Sequence, residues 1–247
     1  MTPLREGGSL PAIVEAEDDG MYVVKFRGAG QGTKALIAEL LAGEIARKLG
    51  FRVPEIVFAE LSAEFGRIEP DPEIQDLLKA SVGQNLALDY LPGSITFDPV
   101  VDTVNAELAA KIVWFDAFVM NVDRTPRNAN MLMWHKELWL IDHGAALYFH
   151  HSWNTWRDFA ASPFKHIKDH VLLPFAGSIE AAAGELLPLL TPEFFSEIVE
   201  IVPDGWLNGG GEAPDKMREV YVQFLTQRVQ NAEIFTEEAV RAGKALI

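Results

Sequence analysis

A chain of 247 residues with 49% hydrophobic content can build one large core or two small lobes but is too short for several independent domains. Its formal charge of −15 argues against nucleic acid or acidic lipid as partners, because surfaces built for them spend lysine and arginine on phosphates; a single nucleotide, whose charge a lysine, backbone amides and metal ions offset locally, stays compatible. The lack of cysteine excludes disulfides, thiolate metal sites and thiol redox chemistry, and with no apolar run near the roughly 20 residues of a bilayer crossing the expectation is a cytoplasmic chain with no membrane partner.

In chain order, Ala12-Ile13-Val14 and Met21 to Phe26 read as a β-hairpin around the Asp19-Gly20 turn signal. After the glycine-rich stretch Gly28 to Gly32, apolar residues at Leu36, Ile37, Leu40, Leu41, Ile45 and Leu49 fall on one helical face, and Gly50 stops the helix. Pro54 to Leu61 and Leu86 to Leu91 read as strands, with Pro70 to Lys79 a loop or short helix between them. Pro92-Gly93 then breaks the chain. A helix from about Asn105, with Leu108, Ile112, Phe115, Phe118 and Val119 on one side, ends before Asn121. Met131 to Trp134 and Leu138 to Ile141 read as a second hairpin, and everything past about Pro163 is mostly helical. This predicts an α+β, two-lobed arrangement: a small β-rich lobe over 1–91 and a larger helical one over 92–247.

Several side chains stand out against this pattern. Lys25 interrupts an apolar strand, so its ammonium is either at an exposed edge or aimed into a cleft. Glu39 is the one acid in the apolar half of the next helix. Asp123 opens a loop that is long enough to turn back, with Asn128 five positions on, and Asp142 closes the hairpin that follows. Neighbouring ends of a hairpin lie close together, so Asp123, Asn128 and Asp142 can surround one or two magnesium ions with hard oxygen ligands. Phosphoryl transfer needs such parts: a cation on the non-reacting phosphates, a group orienting the nucleophile, and oxygens holding the metal.

The segment Asn121-Val122-Asp123-Arg124-Thr125-Pro126-Arg127-Asn128 resembles the Asp-x-x-x-x-Asn catalytic loop of HipA-like, phosphatidylinositol and protein kinases. Ile141-Asp142-His143-Gly144 stands where those families have Asp-Phe-Gly, and Val23-Val24-Lys25-Phe26 where they carry the ATP-binding lysine. With Leu49 to Glu55 similar to a helix end of the HipA family, the resemblance runs from about Gly7 to Tyr148 and implies a bilobal protein-kinase-like fold, an ATP- and magnesium-dependent kinase. It implies that Asp123 is the catalytic base or orienter, that Lys25 grips the phosphates with Glu39 fixing it, and that Asn128 and Asp142 hold magnesium. It further implies that Gly7-Gly8-Ser9 begins a phosphate-covering loop and that the main chain of Leu88, Asp89, Tyr90 and Leu91 meets the adenine edge between the lobes. Asn130 directly precedes the strand and is the alternative metal ligand. The acceptor the family implies is a serine or threonine of a protein; the Asp123-Arg124 pair, most like the lipid kinases, keeps a small-molecule or lipid-headgroup hydroxyl open, and a nucleotide-binding pseudokinase or interaction module is the non-catalytic alternative.

Other readings compete at each position. Lys25 could guard a strand edge, Glu39 could be a solvated helix residue, and Asp142 could pair with Arg124 or Arg127. Gly28 to Gly32 follows a strand and opens a helix, but its spacing fits neither a dinucleotide loop nor a Walker loop, since Gly32-Thr33-Lys34 stands where the latter needs Gly-Lys-Ser or Gly-Lys-Thr. His143, His150 and His151 could suggest zinc, yet no His-Glu-x-x-His motif accompanies them. No Gly-x-Ser-x-Gly hydrolase elbow occurs either. Trp153 and Trp156 read as packing residues that could also shape an acceptor site.

Overall fold

Alternating apolar and polar side chains in the first part of the chain pair into one antiparallel sheet. In the computed structural model, which describes residues 2–3, 10–30, 32–66, 69–208 and 212–246, this sheet has strands β1 (Thr2–Pro3), β2 (Ala12–Glu15), β3 (Met21–Lys25), β4 (Ile56–Leu61) and β5 (Gly83–Asp89). Their order is β1-β2-β3-β5-β4. The connection from β2 to β3 is longer than the tight turn expected from Asp19-Gly20: Ala16 N–H donates to Gly20 O at 2.9 Å, and the Asp18 carboxylate accepts from Gly20 N–H at 2.9 Å. β5 starts three residues before the apolar run, at Gly83 instead of Leu86, because a ladder needs only backbone groups; Gln84 and Asn85 pair with Glu60 and Ala59 of β4.

Helix α1 (Thr33–Lys48) buries its expected face of Leu36, Ile37, Leu40, Leu41 and Ile45. It ends where glycine allows it to: Gly50 takes φ +85°, so that Gly50 N–H reaches Arg47 O and Phe51 N–H reaches Ala46 O, both at 3.0 Å. The segment left open as loop or helix is α2 (Pro72–Ala80), started by Pro72 and by the Asp71 carboxylate, which accepts from the amides of Glu73 and Ile74. Strand periodicity then divides the sheet's faces. Lys25, paired with Leu86, faces the α1 side, whereas Val24 and Ala87 join a small separate core with Ala12, Phe26 and Leu78.

Past Pro92-Gly93 a short strand not visible in the sequence, β6 (Ile95–Thr96), pairs with β7 (Met131–Trp134), which pairs with β8 (Glu137–Leu140). Two residues at positive φ, His135 (49°) and Lys136 (65°), make the β7–β8 turn, the mirror-image geometry that matches the twist of a hairpin. Between β6 and β7 runs α3 (Ala106–Val119), capped by the Asn105 side chain and buried on almost every side from Ala109 onward. A helix apolar all round belongs at a centre, and the rest of the lobe is built on it. Around it lie α4 (Trp156–Ala160), α5 (Ile179–Leu186), α6 (Pro192–Glu200), α7 (Asp204–Leu207), α8 (Pro214–Gln230) and α9 (Ala232–Lys244). Trp114 and Phe118 of α3 meet Phe235 of α9 at ring-centroid distances of 5.5 and 6.3 Å. The result is a mixed α+β, two-lobed fold in which 49% of the described residues are helical and 15% are in strands. Among the described residues, no helix is long and apolar enough to cross a membrane.

Candidate active site

Three charged side chains from three elements meet between the lobes. Lys25 at the end of β3 places Nζ 2.5 Å from Glu39 Oε2 of α1 and 2.6 Å from Asp142 Oδ1, just past β8. Glu39 is 0% exposed and Asp142 44%, so the cluster is dry on the helix side and opens on the Asp142 side. Burial works against the Lys25 ammonium and would pull it down, but the Glu39 and Asp142 carboxylates outweigh it and hold its affinity for the proton above the ordinary value. Glu39 is the mirror case: burial would raise it, while Lys25 and then His143 hold it well below the usual carboxylate range. Both groups are therefore charged. His143 is fully buried, with Nδ1 3.5 Å from Glu39 Oε1 and its ring edge-on to Phe115 at 5.9 Å. Asp142 itself sits at φ +55°, a left-handed conformation that few residues other than glycine adopt, and this turns its carboxylate back toward Lys25.

The loop after α3 folds back on itself. Thr125 N–H donates to Asn128 O at 2.9 Å and Asn128 N–H to Thr125 O at 3.1 Å, with Pro126 and Arg127 at the tip. This returns both asparagines to Asp123. Asn128 Nδ2 donates to Asp123 Oδ2 at 2.8 Å; Asn130 Nδ2 donates to Asp123 O at 3.0 Å and to Oδ2 at 3.3 Å. Asn128 is exposed and Asn130 buried. Asn130 O also accepts from Ile141 N–H at 3.0 Å, so Asn130 is tied to the residue next to Asp142. One hydrogen-bonded path thus runs from Asp123 through Asn130 to Ile141, and the adjacent Asp142 continues it to Lys25 and Glu39.

Arg124 does not pair with Asp142. It turns inward, 1% exposed, with Nε 2.6 Å from Asp116 Oδ2 of α3. Asp116 carries the same signal as Glu39, a lone acid in an apolar stretch of helix, between Phe115 and Ala117, though the sequence pattern alone does not single it out.

At the lobe junction, the amides of Asp89 and Tyr90 donate to Glu55 O and Met21 O, both at 2.9 Å. Leu91 is buried beside them. Gly7, Gly8 and Ser9 lie outside the described residues. The glycine-rich stretch at Gly28 turns its amides toward protein: Arg27 N–H donates to Asn85 Oδ1 at 2.9 Å and Gly28 N–H to Ser81 Oγ at 3.1 Å. A side chain at Gly28 would run into Ala80 at 2.7 Å, which makes close approach to α2 the reason for that glycine. His150 packs edge-on against Tyr221 at 5.3 Å, and Trp153 stacks on Phe149 at 5.6 Å.

Among the described residues, no three histidine, aspartate or glutamate side chains converge as a metal cage. The open carboxylate of Asp142, beside Lys25, and the amide oxygens of Asn128 and Asn130, whose NH2 groups face Asp123, are hard donors. A set this sparse suits magnesium, which keeps waters and takes much of its coordination from phosphates, and does not suit zinc.

A family model described as HipA-like kinase matches residues 1–237. The crystal structure of a Helicobacter pylori proinflammatory kinase, CtkA, superposes with a TM-score of 0.59 at 12% identity, covering 97% of this chain and 94% of that one. No curated protein matches the sequence.

Proposed function

The chain belongs to the HipA-like kinase family, and from that premise we propose that it is a single kinase domain moving the terminal phosphoryl group of ATP, with magnesium, to a serine or threonine hydroxyl of a protein. The observation that carries the reading is Lys25 Nζ held 2.5 Å from Glu39 and 2.6 Å from Asp142, a cation fixed beside an open carboxylate. Lys25 grips the non-reacting phosphates and Glu39 keeps it in place. Asp142, with the amide oxygens of Asn128 and Asn130, holds magnesium, which when bound neutralises charge on the phosphates. Asp123 orients the acceptor hydroxyl and takes its proton as the oxygen attacks phosphorus and the bond to ADP breaks. With Asp123 Oδ2 clasped by both asparagines, Oδ1 is the oxygen left to meet that hydroxyl. Asp89, Tyr90 and Leu91 border the adenine, and a cytoplasmic setting, where ATP is abundant, completes the reading.

Arg124 is turned inward onto Asp116 and offers no cation to an acceptor, and a small-molecule or lipid-headgroup hydroxyl is the alternative acceptor. Labelled ATP, magnesium and protein acceptors test the proposal, with label expected on serine or threonine. Asp123→Ala is expected to abolish transfer while ATP still binds in calorimetric titration, and Asp142→Ala to weaken magnesium–nucleotide binding itself. Equal loss of ATP affinity in the two variants would contradict the assigned roles, and a wild-type chain that binds ATP without transferring phosphate would make it a pseudokinase.

A further inference from the structure

We propose that Asp116, deep in α3, is the positioning residue for Asp123, acting through Arg124, Asn121 and Asn130 without touching any substrate. The proposal rests on Asp123 being the catalytic base. Asp116 is fully buried, and three donors converge on its carboxylate: Arg124 Nε at 2.6 Å and His170 Nε2 at 2.8 Å on Oδ2, and Asn121 Nδ2 at 3.0 Å on Oδ1. The proton on His170 is located by its other nitrogen, since Nδ1 accepts from Leu172 N–H at 3.0 Å, which leaves Nε2 to donate. A carboxylate accepts only, so it satisfies all three at once; an amide would turn an NH2 group on at least one of them.

The consequence is felt at Asp123 from both sides. Asn121 Oδ1 accepts from Asp123 N–H at 3.1 Å, so Asn121 carries the hold of Asp116 to the near side of the loop. On the far side, Arg124 donates from Nη1 to Asn130 O, and Asn130 Nδ2 donates to Asp123 O at 3.0 Å and to its carboxylate at 3.3 Å. Arg124 O accepts from Val171 N–H at 3.1 Å, tying the loop to the segment that carries His170. Both peptide groups flanking the Asp123 side chain are thus anchored to one buried anion on a helix at the centre of the lobe. Any rotation of the Asp123 backbone has to break a bond in this set, and an error of about 1 Å at a reacting group costs on the order of 100-fold in rate.

Asp116→Asn and Asn121→Ala in the full chain test this with three readouts: kcat and KM for ATP, calorimetric ATP affinity, and deuterium exchange of the segment 121–130 against 36–45. Asp116→Asn is expected to lose about 100-fold in kcat and Asn121→Ala about 10-fold, with ATP affinity within about twofold of wild type and faster exchange confined to 121–130. A kcat within about threefold of wild type in both variants, or parallel loss of kcat and ATP affinity, overturns it. Should Asp116→Asn fail to fold, Asn121→Ala decides, because it leaves the ion pair with Arg124 intact. If the wild-type chain transfers no phosphate, the kinase reading fails by itself, and exchange at 121–130 alone shows whether Asp116 holds the loop.

Discussion

Lys25 and Glu39 depend on each other more than either depends on water. Glu39 has given up all solvent, and among the described residues its charge faces Lys25, at 2.5 Å, and the more distant His143 Nδ1, at 3.5 Å. Removing one member of such a pair strands the other, at a cost of about 3–5 kcal/mol, whereas removing both is far milder. Lys25→Met is therefore expected to lower unfolding stability by about that amount in urea titration, and Lys25→Met with Glu39→Gln to regain most of it while still failing to transfer phosphate. A double variant as unstable as the single one would show that the loss does not come from a stranded Glu39 carboxylate. At this scale the sequence was informative for a definable reason: a charge inside an apolar periodic run must find a partner, which singled out Lys25 and Glu39. The same argument applied to Asp116 names a buried acid but not its partners, because Arg124 and His170 are neighbours only once the loop has folded.

Among the elements, α3 decides where the Asp123 loop begins, and its C-terminal end is held by a residue far along the chain. Arg228 of α8 donates to the carbonyls of Ala117 at 2.6 Å and Phe118 at 3.1 Å, and to those of Ser162 at 2.6 Å and Ala160 at 3.3 Å. Its guanidinium lies 4.1 Å from the centre of the Phe235 ring. Burial pushes Arg228 down to about 9, still charged at neutral pH, and a cation is favourable where helix carbonyls point. Arg228→Met would leave these carbonyls without donors, so a loss of about 3–5 kcal/mol is expected, or on the order of 10 °C in Tm. Arg228→Lys should recover only part of it, since one ammonium cannot reach all four acceptors; a Tm within about 3 °C of wild type for Arg228→Met would contradict the role.

For the whole molecule, buried histidines set the response to mild acid. His150 is held down to about 3, first by burial and then by the Lys34 ammonium and His151; burial also lowers His170. His150 stays neutral when folded and takes up a proton near pH 6.5 when unfolded, and His170 shifts in the same direction, so the unfolded state binds more protons as acidity rises. Stability is full above about 6.5 and falls below it, by about 2 kcal/mol for His150 between pH 6.5 and 5. Glu39 and Asp116, both held below the carboxylate range, add their loss only at about pH 4.5 and lower, which keeps the two windows apart. His150→Phe, in a pocket already lined by Phe149 and Tyr221, is expected to flatten the curve of Tm against pH between 6.5 and 5. A slope unchanged from wild type would remove His150 as its cause.

From the chain alone came whatever depends on neighbours in sequence: the hairpins, the α1 face and its glycine stop, and the order of Lys25, Glu39, Asp123 and Asp142. These follow from periodicities of two and 3.6 residues and from turn chemistry, which are local. Tertiary packing alone decided that Arg124 faces Asp116 and not Asp142, that Asn130 as well as Asn128 clasps Asp123, and that β6 pairs with β7. Each joins groups whose separation is set by how loops close and which side chains lose their water, and no short window of residues contains that information.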